Sequence, residues 1–230
     1  MLQPGGRSGC WKQQWLYGFF YFVNGLYVFL SDSTYRSQQL KNRCTLSLTG
    51  LPGTRWCERA DVAKALVEGW KSIQEVLDEQ AADKEQKADT RNQAEGFSHR
   101  MNELDTAVMA TAWNDILGRL NITSISLQDP TVTLNTTTGL ITSLVDTVQF
   151  AWDRFDVYEQ MAIEKVQHVE YRAEQRRGRK RKRMPDEKAA NEADLSPRET
   201  FKTQTYLHCV SKKTSPMYLA ITRKSIVRFS

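Results

Sequence analysis

Between Glu58 and Phe155 the apolar residues recur every three or four positions in successive stretches, and this spacing limits what the chain can fold into more than any other feature. Val62, Leu66, Trp70, Ile73 and Leu77, with Ala63 and Val76 beside them, predict a helix from Glu58 to about Glu79. Thr90, Ala94, Phe97, Met101, Leu104, Val108 and Ala112 keep the spacing through a highly charged stretch. They predict one long helix from about Lys84 to Arg119, with Gly96 as its weakest point. The period is lost in Asn121–Gly139, where Pro130 and many Ser and Thr residues predict a connector. It returns with Ile141, Leu144, Val148, Trp152 and Phe155, and polarity rises again towards Gln175. An apolar stripe on a helix has to be covered by another stripe, so consecutive striped helices joined by short connectors predict an antiparallel helical bundle.

A second apolar stretch, "WLYGFFYFVNGLYVFL" at Trp15–Leu30, admits two readings. A membrane-spanning helix needs about 20 apolar residues, and a signal peptide needs a small-residue cleavage site that the following "SDSTYR" does not offer. A buried core helix, its dense aromatics set against a sheet, is preferred to a membrane anchor on length.

The net charge of +5 is concentrated rather than spread. Eight basic residues fall within Arg172–Arg183, and the rest of the chain carries a slight acidic excess. A uniformly basic nucleic-acid-binding face is therefore not indicated, whereas a local basic segment is. "RRGRKRKR" suits nuclear import or contact with phosphate backbones, and the plainer alternative is the solvated basic end of a helix. Residues 176–200 run from basic to acidic with almost no apolar side chains and predict a linker. Phe201–Ser230 recovers some β-formers in "TYLHCV" and "SIVRFS" but is too short to fold alone.

Catalytic chemistry finds no foothold in the residue pattern. Cys10, Cys44, Cys57 and Cys209 form no C-x-x-C pair, and His99, His168 and His208 are far apart, so no zinc site or triad is signalled. Neither a Walker-type nor a dinucleotide-binding glycine motif is present. Glu75, Asp78, Asp83, Glu85 and Asp105 read as solvated helix faces, and Asp61 as a first-turn carboxylate meeting a helix dipole. The two glycosylation-type triplets, at Asn121 and Asn135, are too short a pattern to carry weight.

Four stretches together carry a family resemblance: "FFYFVNGLYVFLSDSTYRSQQLKN", "TRWCERADVAKAL", "WNDILGRLNITSISLQDPTVTLNTTTGLITSLVD" and "FDVYEQ" followed by "RRGRKRKRMPDE". They resemble the hAT-superfamily transposases, and more closely the zinc finger MYM-type protein 1-like group, over roughly Trp15–Leu207. The resemblance implies a mainly α fold: a helical bundle, the transposase insertion domain, following a truncated piece of an RNase H-like α/β domain. Residues 1–14 stay unassigned, 15–57 are the RNase H-like remnant, 58–175 the helical insertion, 176–200 the linker and 201–230 a divergent tail.

In such transposases a Thr-Arg-Trp element, matched by Thr54, Arg55 and Trp56, closes the first part of the sheet. Arg55 is then expected to meet a phosphate and Trp56 to stack on a base. The nuclear-localisation-like residues are Arg176, Arg177, Arg179, Lys180, Arg181, Lys182 and Arg183. The family's first aspartate motif would lie ahead of residue 1, and "HCVSKKTSPMYLAITRKSIVRFS" replaces the segment leading to its last glutamate. Without those carboxylates a metal pair cannot form. The expectation is a nuclear, catalytically incomplete fragment with no catalytic residue, cofactor, metal or small-molecule substrate. DNA and a related full-length transposase-like protein are the partners implied. A helical protein-interaction module without DNA binding and a protein anchored in a membrane through residues 15–30 are the alternatives.

Overall fold

The structure, a computed structural model, describes residues 10–44, 56–151, 153–167, 169–171 and 195–207. Among them regular structure is entirely helical: α1 (Cys10–Ser31), α2 (Thr34–Arg43), α3 (Trp56–Glu68), α4 (Trp70–Ala82), α5 (Ala88–Met101), α6 (Leu104–Ser126), α7 (Leu134–Phe150), α8 (Phe155–Ile163) and α9 (Pro197–Phe201). A π-helical turn, Lys202–Tyr206, continues from α9. The chain is mainly α, as the apolar spacing predicts.

Helix α6 is the hub. Leu104 and every residue from Thr106 to Trp113 are buried, so its first half has no solvent face, and α3, α5, α7 and α8 all pack on it. A helix covered all round loses the one-sided stripe of a surface helix. Alanines face inward on both α3 (Ala60, Ala63, Ala65) and α6 (Ala107, Ala110, Ala112), and small side chains let two helix axes approach closely. Helices α4 and α5 form a neighbouring hairpin, and α2 is tied to α4 by Arg43–Glu79 and Gln80–Gln39 bonds, each 2.8 Å.

The expectation of a buried helix at 15–30 holds for the face that carries Phe19, Phe20, Phe22, Val23, Leu26, Phe29 and Leu30, whereas Tyr21 and Val28 are exposed, and the covering layer is helical and not a sheet. Phe20 meets Trp113 of α6 at 5.5 Å between ring centroids, and Phe22 and Phe29 meet Phe97 of α5 at 6.0 and 5.4 Å. The guanidiniums of Arg36, Arg59 and Arg100 lie over Phe29, Phe20 and Phe22 at 4.1, 5.1 and 5.2 Å. A cation over a ring face is an electrostatic attraction that also shields the ring from water. Among the described residues no helix is long and apolar enough to cross a membrane.

Helix boundaries depart from the sequence reading in several places. The helix expected from Glu58 to Glu79 is kinked at Gly69, although hydrogen bonding runs through the kink from Gly69 N to Ala65 O and from Ile73 N to Gly69 O, both 2.9 Å. A Cβ at Gly69 would stand 2.9 Å from the Ala65 carbonyl and 3.2 Å from Cys44 Sγ, so glycine is there for space. The single long helix expected at 84–119 is two, parted at Asn102–Glu103 rather than at Gly96, which sits in open space within α5. Met101 and Leu104 are both buried on either side of that break, and Glu103 takes an extended conformation that turns the chain from the α4–α5 hairpin into the centre.

The connector expected at Asn121–Gly139 shrinks to Leu127–Thr133, because the Ser and Thr residues act as caps and helix surface instead of loop. Thr133 Oγ1 accepts from Thr136 N at the start of α7, and Asp129 accepts from Thr131 N at 2.9 Å beside Pro130. The third predicted helix is interrupted at Ala151–Arg154, so that α8 can turn Phe155, Tyr158 and Ala162 into the core. At the far end, Ser196 and Glu199 form a capping box with Pro197 in the first turn, which starts α9 inside the span read as linker. Phe201 and Tyr206 are buried, so the first part of the supposed tail folds on α8, and Tyr206 is helical rather than extended.

Candidate nucleic-acid interface

Helix α7 is covered on one side only. It buries Leu144 and Val148, half-buries Leu140, Ile141 and Val145, and turns Asn135, Thr138, Thr142, Ser143 and Asp146 outward. These polar positions repeat at three- and four-residue intervals and so share a face. With Gly139, Thr147, Phe150, Arg119 of α6 and Arg154 they line an open groove of about 780 Å³. That lies within the usual range for ligand sites, about 300–1,000 Å³. Thr138 and Thr147 donate their hydroxyl protons to the backbone carbonyls of Leu134 and Ser143, at 2.9 and 2.8 Å, leaving the oxygens' lone pairs available.

The two arginines of the groove are held differently. Arg154 precedes α8, donates from Nη1 to Asp115 Oδ2 at 2.9 Å and lies over the Tyr158 ring at 5.3 Å. The Tyr158 hydroxyl donates to the same Asp115 oxygen at 2.6 Å. Burial first, and the bond to Asp115 second, push the Tyr158 hydroxyl well above its ordinary pKa, so it stays a donor. Behind it Tyr206, 6.4 Å away between ring centroids, donates its hydroxyl to the Ala151 carbonyl. Arg154 is thereby fixed in one orientation, whereas Arg119 is exposed and has no ion-pair partner among the described residues.

One turn further along α8, Glu159 gathers two distant parts of the chain. Its carboxylate accepts from Arg198 Nε at 2.7 and 3.0 Å and from the Tyr171 hydroxyl at 2.6 Å. Arg198 also reaches Asp156, and the Tyr171 and Phe201 rings stand 5.3 Å apart. The Arg198 guanidinium, and then the Tyr171 bond, hold the Glu159 carboxyl below the usual carboxylate range despite partial burial. Tyr171 and Leu195 bracket the segment that contains the basic run, so the described residues on either side of that segment meet on α8.

Of the residues singled out in the sequence, Arg55 and the basic run Arg176, Arg177, Arg179, Lys180, Arg181, Lys182 and Arg183 lie outside the described residues, as do His168 and His208. Trp56 is the first residue of α3, and its side chain is also outside them. Because α3 starts at Trp56, Glu58 rather than Asp61 occupies its first turn. Glu75, Asp78 and Glu85 are exposed as read, but Asp83 and Asp105 are half-buried, and Asp78 accepts from Ser98 Oγ at 2.5 Å. His99 pairs with Glu103 one turn away, at 3.6 Å. Among the described residues no group of His, Cys, Asp or Glu side chains is placed to hold a metal ion.

Sequence reasoning passed over Arg119, Phe150, Arg154 and Asp115. The signal that could have found the groove is the recurrence of Asn135, Thr138, Thr142 and Asp146 at helical spacing within a stretch read as loop. The chain matches no family model, no curated protein and no solved structure.

Proposed function

We propose that the chain is a catalytically incomplete fragment derived from an hAT-superfamily transposase of the zinc finger MYM-type protein 1-like group, which holds nucleic acid in the nucleus without cutting it. On this reading residues 15–57 descend from the RNase H-like layer, residues 58–175 from the helical insertion, and Arg55 and Trp56 from the element that faces DNA. The four stretches that resemble the family are what supports the descent.

One observation carries the binding reading. Glu159 of α8 draws together Tyr171 and Arg198, which flank in sequence the segment bearing Arg176–Arg183. On this reading the run between them acts as a cluster of cations, and clustered cations bind phosphates by releasing condensed counterions. Duplex binding should weaken on a log–log plot against salt with a slope of about −0.9 per phosphate neutralised. Binding of a labelled duplex to the full chain at several salt concentrations tests this, beside a variant with Arg176, Arg177, Arg179, Lys180, Arg181, Lys182 and Arg183 changed to Gln. The variant should lose affinity and a large part of the slope. Equal binding by both chains would refute the role given to the run, and metal-dependent strand transfer by this chain alone would refute the claim that it is catalytically incomplete.

A helical protein-interaction module is the second reading. It is favoured by Ile122, Ile125 and Leu134, which flank the α6–α7 turn and are 63%, 61% and 68% exposed. Absence of salt-dependent nucleic-acid binding would shift the weight to it.

A further inference from the structure

We propose that the α6–α7 groove is a site for a single-stranded nucleic acid: one base stacks on Phe150, the adjoining phosphate sits between Arg119 and Arg154, and Asp146 accepts from the base's exocyclic amino group. The proposal rests on the nucleic-acid reading above but concerns a different part of the chain. Phe150 is 63% exposed although it ends a helix that buries other apolar residues, so its ring is offered to solvent in the lining of the groove. Aromatic faces bind unpaired bases and arginine forks bind phosphates, and their occurrence together in one groove is the signature of strand binding.

The groove also discriminates by what it contains. Arg154 is locked by Asp115 and the Tyr158 ring, so little side-chain freedom remains to be lost on binding, while Arg119 lines the groove from α6 with its side chain exposed. Asp146 precedes Phe150 by one helical turn and shares its face, where a phosphate would be repelled and a base amino group would find an acceptor. Gly139 has nothing within 4 Å of where a Cβ would stand, which leaves the backbone of α7 open to close approach by a sugar-phosphate chain. A duplex hides its base faces in the stack, so Phe150 can serve only an unpaired strand.

The test is fluorescence anisotropy of labelled oligo-dC and oligo-dT with the full chain, titrated at several salt concentrations, with circular dichroism melting of each variant as a folding control. Phe150→Ala is expected to weaken binding about 5- to 150-fold, the range for loss of one stacked base. Arg119→Ala should reduce the salt slope by about 0.7, the single-strand value for one phosphate. Asp146→Asn should abolish a preference for oligo-dC over oligo-dT. Arg119 and Phe150 are both solvent-exposed, so their replacement leaves the melting curve in place, and Arg119→Glu repeats the test with the opposite charge. If the chain binds these oligonucleotides and only the basic-run variant loses them, the groove assignment is wrong and the broader reading stands. If the unaltered chain binds neither these oligonucleotides nor a duplex, both fall. Binding of an oligo-glutamate peptide that depends on Arg119, with no oligonucleotide binding, would overturn the proposal in favour of an acidic protein partner.

Discussion

Replacing Tyr206 tests whether residues 195–207 belong to the core or merely lie on it. The ring is fully buried, 5.0 Å from Phe155 and 6.4 Å from Tyr158 between centroids, and its hydroxyl donates to the Ala151 carbonyl. Tyr206→Phe keeps the packing and strips one donor from a buried carbonyl, a loss of about 1–3 kcal/mol. Tyr206→Ala also removes the ring, for which large aromatic truncations cost about 3–5 kcal/mol. For a chain of this size about 1 kcal/mol lowers the melting temperature by about 2–4 °C, so the two variants should separate clearly in a thermal or urea melt. Amide exchange sharpens the assay. If the segment detaches as a unit, amides of Thr200–Leu207 should exchange faster in Tyr206→Ala while those of α3 and α6 stay protected. Melting and exchange unchanged from the parent chain in Tyr206→Ala would refute the packing argument outright.

Two further outcomes follow from the same geometry. Glu159 has its folded-state pKa depressed by Arg198, so its contribution to stability is present above about pH 4.3, the unfolded value, and is lost as pH falls through the lower folded value. Urea midpoints measured between neutral and acid pH should show that loss, and Glu159→Gln should be less stable at neutral pH and lack this part of the acid dependence. Gly69→Ala is expected to destabilise by about 1–3 kcal/mol, because its Cβ would press on the Ala65 carbonyl and Cys44. A melting temperature raised by the better helix former would show that the kink can relax.

The apolar spacing made the helices legible but not their ends. Val62, Leu66, Ile73, Leu77, Val108 and Leu144 are all buried at the periods that named them. Gly69 and Asn102 were harder to read, since one is set by how near Cys44 comes and the other by where the core requires the chain to turn. Short-range propensity carries neither fact. The Thr-rich stretch before α7 misled for a related reason: Ser and Thr are poor helix formers on average, yet Thr133 caps the helix and Thr138 and Thr147 bond back to it. The groove was invisible because Arg119 and Arg154 are 35 positions apart in sequence and meet only through the antiparallel packing of α6 and α7 and the turn into α8. Phe201 and Tyr206 were discounted because a segment too short to fold alone can still fold upon something else, here Phe155.

The central position of α6 bears on whether the chain can be divided. Phe20 packs on Trp113, and Phe22 and Phe29 pack on Phe97, so the hydrophobic interior crosses the boundary expected at residue 57. A polypeptide beginning at residue 58 would bare one face of both rings to water, and one ending at residue 57 would leave the phenylalanines of α1 without cover. The two parts are stable only together: a break in the chain within 45–55 would leave each piece with half of a core.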